Sequence, residues 1–314
     1  MDAGRFCGIV GRMSANVDAP GGRHAPVIFV VLPAWNEERV IGQALHALAG
    51  AVRDREDGCH VVLVDDGSTD GTVAEAERAL AESGGRLRLT VLRHQANRGL
   101  GAALRTGLYW CLDHARDEDL VVTLDADNTH PPALIPALVE RLGDRYDLAI
   151  ASRYREGSTV RGVPGYRLWL SKGSRLLFQA LFPIPGVRDY TCCFRAFRVP
   201  LLRRARLAWG DDLCAARGFE AVMDLLLKLR PVGMRATEMG FALDYGERVG
   251  QSKMKVMRTI GTTLALLSRR FVERFTVASP ARVRARIAAA ERPAGSGGAS
   301  PRPSAPAEAP PSSA

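Results

Sequence analysis

Apolar residues in the first half of the chain fall into short, nearly unbroken runs. Between them, apolar positions recur every three or four residues. The runs are Val27–Leu32, His60–Val64, Leu87–Leu92, Leu120–Leu124 and Leu148–Ala151, and they begin about thirty residues apart. Runs of this length, bounded by turn residues, predict strands buried on both faces. The stretches Glu37–Leu48, Thr72–Leu80, Ala102–Leu112 and Pro132–Leu142 predict helices; Ser68-Thr69-Asp70 offers caps for the second, and Pro131-Pro132 suits the first turn of the fourth. Alternation of this kind predicts an α/β domain with a mostly parallel sheet and helices on both faces. Ligands of such sheets sit beyond the carboxyl ends of the strands, so the residues just after each strand are the candidate chemistry.

The back half is less regular. Residues 166–183 and 254–275 both mix Leu, Trp, Phe or Met with Arg and Lys at helical spacing. Each reads either as a helix lying in a membrane interface or as a core-packed helix whose cationic side chains snorkel to water. Residues 291–314 contain 20 Pro, Ala, Ser or Gly in 24 positions, the composition of a disordered tail. The expected organisation is a flexible segment at 1–24, one domain at 25–253, an amphipathic basic helical segment at 254–290 and the tail at 291–314. No internal repeat is present.

Composition adds one fact that the pattern does not. The net charge of +9 divides unevenly, with a balance of −7 over residues 1–150 and +16 over residues 151–314. A basic half of this kind suits nucleic acid, an anionic membrane surface or a phosphorylated substrate, and composition does not choose among them. Six cysteines without metal-site spacing make no disulfide framework, so a reducing cytoplasm is expected. No run approaches the ~18 apolar residues of a membrane span, and the first twenty residues lack the apolar core of a signal peptide.

The strand ends are acidic. The first leads into Pro33-Ala34-Trp35-Asn36-Glu37-Glu38, the second into Asp65-Asp66-Gly67-Ser68-Thr69-Asp70, and the fourth into Asp125-Ala126-Asp127. Three such clusters on one sheet edge repel unless a cation or polar ligand lies among them. Asp125 and Asp127 are two apart, so on extended chain their carboxylates share a side. Hard oxygen ligands in that arrangement suit Mg²⁺ or Mn²⁺, with the remaining ligands drawn from a diphosphate and water. Asp65 and Asp66 are placed to accept hydrogen bonds from a base or ribose. Gly99-Leu100-Gly101 begins a dinucleotide fingerprint, but Leu104 stands where its third glycine belongs, and no G-x-S-x-G, Walker A or H-E-x-x-H occurs.

The series LPAWNEE, VVLVDDGSTDGT, NRGLGAALRTG and TLDADNTHPP resembles the nucleotide-sugar motifs of the family 2 inverting glycosyltransferases with the GT-A fold. ASRY, GVRDYTCCFRAFR, GFEAVMDLLLKL and GQSKM are similar to the dolichyl-phosphate (polyprenyl-phosphate) mannosyltransferases, and the resemblance runs from about residue 27 to 256. It implies that Pro33, Asn36, Glu37, Asp65 and Asp66 contact the donor nucleoside, while Asp125 and Asp127 hold the metal. It also implies that Arg153, Arg195 and Lys253 grip the acceptor phosphate and transferring groups, with Asp189 close to the reacting sugar. Departures from the family pattern include Trp35 in place of Tyr, Asn128-Thr129 after the aspartate pair, and Cys192-Cys193 in place of Ser-Gly.

The implied reaction moves a hexose, foremost mannose from GDP-mannose, onto a polyprenyl phosphate with inversion. UDP-glucose or another donor, and a glycan or small metabolite as acceptor, are the alternatives. A polyprenyl phosphate is already an anion, so positioning and electrostatics matter more than a general base. Asp189 is accordingly expected to orient a sugar hydroxyl or a clamp arginine. Work at the inner face of the membrane is expected, through the two cationic helices or a small membrane-protein partner. A nucleic-acid partner is not expected, because it leaves the strand-end carboxylates without a purpose.

Overall fold

In the computed structural model, the apolar runs become the centre of an eight-stranded sheet. Residues 9–10, 25–55, 59–127, 129–163, 165–244, 256–273, 275 and 278–291 are described. The strands are β1 (Ile9–Val10), β2 (Ile28–Ala34), β3 (Cys59–Asp65), β4 (Leu87–Arg93), β5 (Leu120–Thr123), β6 (Leu148–Ser152), β7 (Thr159–Arg161), β8 (Arg195–Arg198), β9 (Ala236–Gly240) and β10 (Ala242–Asp244). The helices are α1 (Glu38–Ala51), α2 (Thr72–Glu82), α3 (Leu100–His114), α4 (Ile135–Glu140), α5 (Gly165–Leu181), α6 (Val199–Trp209), α7 (Glu220–Leu229), α8 (Val256–Glu273) and α9 (Pro280–Ala290).

The sheet order is β1-β4-β3-β2-β5-β8-β6-β9, and β7 and β10 form a separate pair. Neighbours are parallel except at β1 and β8, which run antiparallel to theirs. Ala34 pairs with Asp65 in register, and Val31 pairs with Thr123. The loops after β2, β3, β5 and β6 therefore leave from one edge. Because β8 is reversed, residues 189–194 arrive at that same edge before entering the sheet. Strands β2 and β3 are buried almost throughout, as expected for parallel strands covered on both faces.

Two expected boundaries shift for identifiable reasons. The predicted helix over 132–142 is a 3-10 turn at Pro132–Leu134 followed by α4. Pro136 has no N–H to donate, so it fits only in a first turn and α4 begins beside it. Helix α3 starts at Leu100, two residues before the apolar pattern suggests; just ahead of it, Asp66 after β3 accepts the N–H groups of Arg98 and Gly99. Ile9 and Val10, within the segment expected to be flexible, pair with Leu92 and Val91 of β4. The tail beyond Glu291 and Lys253 lie outside the described residues.

Candidate active site

Short polar side chains build the β2–β3 side of the edge by bonding nearby backbone, which is why they favour turns over helix or strand. Asn36 has φ +54°, the one left-handed non-glycine residue among those described, and its Oδ1 accepts the Thr69 N–H at 2.8 Å. In return Ser68 Oγ accepts the Asn36 N–H, and Thr72 Oγ1 accepts the Glu37 N–H, both at 2.9 Å. The loops after β2 and β3 are thereby stitched into one surface. Pro33 is half-buried at the end of β2, with Trp35 exposed just beyond it.

Asp65 and Asp66 look inward. Asp65 accepts the Ser68 N–H at 2.9 Å and is ion-paired with Arg93 at 2.9 Å. Asp66 Oδ1 meets His94 Nδ1 at 2.6 Å and the Arg98 N–H at 2.9 Å, while Oδ2 accepts the Gly99 N–H at 2.7 Å. Gly99 has φ +93°, which suits glycine, and a Cβ on Gly101 would collide with the Ala216 carbonyl. Burial pushes the Asp66 carboxyl up, but these donors outweigh it and hold it below its ordinary value. Asp65 and Asp66 are both buried at the strand end and bound to the backbone of the loops that cover them.

After β5, Asp125 and Asp127 are half-buried while Ala126 turns inward, as alternation along extended chain requires. Thr129 donates to Asp127 Oδ1 through its hydroxyl at 2.6 Å and its N–H at 3.2 Å, fixing that carboxylate. His130 is buried, and its Nδ1 accepts the Asp125 N–H at 3.1 Å. That bond assigns the tautomer with the proton on Nε2, which faces Cys192 Sγ at 3.8 Å. His130 therefore supports the aspartate loop. Among the described residues no cluster of three or more His, Cys, Asp or Glu could hold a metal. Two carboxylate donors are a fitting set for Mg²⁺ or Mn²⁺ that shares a nucleotide diphosphate, and too few for a closed all-protein site.

The other half of the edge is cationic. Arg153, just past β6, is 19% exposed at its side chain and grips the fully buried Asp189 at two points, Nε to Oδ2 at 2.8 Å and Nη2 to Oδ1 at 2.7 Å. Asp189 Oδ2 also accepts the Arg153 N–H at 3.1 Å, and Oδ1 accepts the N–H groups of Thr191 and Cys192 at 3.2 and 3.1 Å. Burial pushes the Asp189 carboxyl up, yet Arg153 and these hydrogen bonds outweigh it and bring it down to about 2. Such a group is no base at neutral pH; it is a fixed charge that orients a guanidinium. Tyr154 bonds Ser171 on α5 through its hydroxyl, and the Arg175 guanidinium lies 4.8 Å from the Tyr154 ring centroid.

Arg195 does not join this cluster. It was expected to grip phosphate, but it begins β8 at 1% exposure, with Nη1 donating to the Val222 carbonyl at 2.7 Å and Nη2 to the Tyr190 carbonyl at 2.8 Å. The central antiparallel strand aims this side chain into the core, and burial lowers its pKa. In this position its guanidinium braces two backbone carbonyls inside the fold. Cys192 and Cys193 are buried packing residues, and burial pushes the Cys192 thiol up to about 12. Glu238 on β9 carries one signal in sequence, a lone acid inside a strand, ATEMG, that is otherwise small or apolar.

The acidic and cationic halves touch through the buried His130–Cys192 contact, Nε2 to Sγ at 3.8 Å. The sequence profile of glycosyl transferase family 2 matches residues 29–205. Polyprenol monophosphomannose synthase of Mycolicibacterium smegmatis is 34% identical over 226 residues, 72% of this chain and 80% of that protein. Undecaprenyl-phosphate 4-deoxy-4-formamido-L-arabinose transferase of Pseudomonas fluorescens is 30% identical over 245 residues, 77% of this chain and 64% of that protein. In shape, the chain is similar to glucosyl-3-phosphoglycerate synthase of Mycobacterium tuberculosis, solved with Mn²⁺, UDP-glucose and phosphoglyceric acid. The TM-score is 0.54 at 24% identity, covering 78% of this chain and 80% of that one, which identifies the GT-A-like fold. The motif series, the shared sheet edge and these likenesses agree: the chain belongs to glycosyl transferase family 2, as a glycosyltransferase of the polyprenyl-phosphate mannosyltransferase type.

Proposed function

We propose that the protein transfers mannose from GDP-mannose to a polyprenyl phosphate at a membrane surface, with Mg²⁺ or Mn²⁺ held by Asp125 and Asp127. The observation that carries this reading is the position of Arg153. It follows the strand neighbouring the aspartate-bearing region across β8, and its neighbour Tyr154 is tied to α5 through Ser171 and Arg175.

Helix α5 turns an apolar face outward. Trp169 is 77% exposed, and Tyr166, Leu170, Leu176 and Leu177 are exposed on the same helix, three, one, seven and eight residues from it. Helix α8 does the same with Met257, 80% exposed, and with Leu264, Phe271 and Val272. Its other side is fixed to the domain by Arg270, which pairs with buried Asp224 at 2.6 Å. Exposed apolar stripes on basic helices suit an anionic bilayer surface. Among the described residues no helix is long and apolar enough to cross a membrane. A lipid phosphate needs its head at the interface and its chain in lipid, and a cationic clamp adjoining an outward-facing apolar helix meets both needs.

A metal ion bound at Asp125 and Asp127 would neutralise charge developing on a departing nucleoside diphosphate. The chain's own residues do the rest. Asn36, Glu37 and Pro33 line the donor loops, Asp127 is held in place by Thr129, and Arg153, oriented by Asp189, receives the acceptor phosphate. Lys253 is assigned to the same anion from its motif. The acceptor needs no base, so bringing two anions into line is the catalytic task.

The test uses purified protein, a polyprenyl phosphate in detergent, and labelled GDP-mannose or UDP-glucose in parallel, with Mn²⁺ or EDTA. Metal-dependent label from GDP-mannose in the organic phase is expected. Label from UDP-glucose alone would change the sugar. Metal-dependent nucleotide binding with no organic-phase label from either donor would replace the lipid acceptor with a glycan or small metabolite.

A further inference from the structure

A carboxylate in the middle of a buried strand is costly unless every lone pair is used. Glu238, in β9, has a fully buried side chain and uses both oxygens. Its Oε1 accepts the backbone N–H groups of Arg188 at 2.6 Å and Asp189 at 2.7 Å, and its Oε2 meets Arg155 Nε at 2.9 Å. Two consecutive backbone N–H groups converging on one oxygen form an anion nest, and here the protein supplies the anion. The loop reaches β9 a second time at Gly186, where φ is +83° and a Cβ would press on the Ala236 carbonyl. Arg155 closes the ring by donating to the Gly186 carbonyl.

These contacts fix the peptide planes at 188 and 189, the planes from which the Asp189 side chain leaves to meet Arg153. We propose that Glu238 is the positioning residue of the acceptor clamp: it sets the Arg188–Asp189 backbone so that Asp189 holds Arg153 at two points. The proposal rests on the reading of Arg153 as the ligand of the acceptor phosphate. Glu238 acts wholly through Asp189 and touches neither sugar nor phosphate. Its partners lie 49 and 50 residues away in sequence, so the arrangement exists only in the folded sheet.

Glu238→Gln tests this. The amide oxygen can still accept from both N–H groups, but its NH₂ then faces the Arg155 donors, so the ring must open. With the donor saturating, kcat/KM for the polyprenyl phosphate is expected to fall about 100-fold, the scale of a small misplacement at a reacting centre. Binding of GDP with Mn²⁺ should stay within about twofold, since the acidic half is untouched. Adding Arg155→Met removes the opposed donors, so the side chain at 238 can again accept from the 188 and 189 amides, but it also removes the Gly186 tie; part of the lost kcat/KM should return. Deuterium exchange at the 188 and 189 amides should quicken in E238Q and slow again in the double variant. Should E238Q fail to fold, Glu238→Asp keeps the charge but withdraws it, and the same loss and faster exchange are expected. Wild-type kinetics and exchange in the folded variant would overturn the proposal, as would an equal loss of GDP binding. If the wild-type protein labels no polyprenyl phosphate, the functional reading fails, and unchanged amide exchange would separately overturn the positioning of Asp189.

Discussion

Asp189 and Arg153 form a two-point ion pair, at 2.8 and 2.7 Å, in which the carboxylate is wholly buried and the guanidinium opens on the sheet edge. The arginine is thus held from behind. Its Nη1 has no partner among the described residues and is the atom left for a ligand.

Removing the charge from Asp189 should therefore cost stability as well as activity. Asp189→Asn leaves Arg153 facing a neutral amide in a buried setting, and breaking such a pair typically costs about 3–5 kcal/mol. Urea unfolding measures it. The pH dependence carries the same signature: the folded carboxyl titrates at about 2 against an ordinary 3.8. A depressed value stabilises the fold above the ordinary one, so the contribution is complete above about pH 4 and drains as pH falls through about 2. The acid limb of the stability curve should flatten in D189N.

Asp127→Asn should separate donor binding from folding. The side chain is half-buried and held by Thr129. Calorimetry with GDP and Mn²⁺ should show affinity reduced at least about tenfold, the lower end of what loss of a supporting partner at a metal site costs. The melting temperature should stay near that of the wild type.

His130→Phe tests support of the aspartate loop. The ring would still pack against Phe194 and Phe241, but the Asp125 N–H would lose its acceptor. Loss of one such hydrogen bond typically costs about 0.5–1.5 kcal/mol. Mn²⁺-dependent nucleotide affinity should weaken about 10- to 100-fold, as for other supporting residues of metal sites. An unchanged affinity would show that His130 serves packing alone.

Arg195→Met should behave unlike Arg153→Met. The first removes the guanidinium bonds to the Val222 and Tyr190 carbonyls and should lower stability by about 1–3 kcal/mol, with acceptor KM unchanged in the protein that folds. The second should raise acceptor KM. Thermal melts and acceptor titrations on the two variants distinguish the scaffold arginine from the clamp.

Charge on the outward stripes should release the protein from lipid. Trp169→Glu and Met257→Glu alter highly exposed side chains, so thermal stability should hold while flotation with anionic vesicles falls. Wild-type protein that fails to float with vesicles would count against unaided docking.

The chain by itself determined the strands, the edge and the aspartate pair on it. Buried runs such as Val27–Leu32 and Leu148–Ala151 have one good solution, a parallel strand covered on both faces, and Asp125-Ala126-Asp127 needs only local alternation to present two carboxylates together. Two outward apolar helices were legible as amphipathic spacing, but not which way the apolar face would turn, because that depends on what space the core leaves. Arg153 and Arg195 are the same residue in neighbouring motifs, yet one opens on the edge and the other is sealed inside. Sheet order and the reversed β8 decided that difference. Glu238 and Asp66 hold backbone groups about 30 to 50 residues away, and such pairings have no local pattern. Local periodicity fixes which face of an element is apolar; only packing fixes which buried polar groups must find each other.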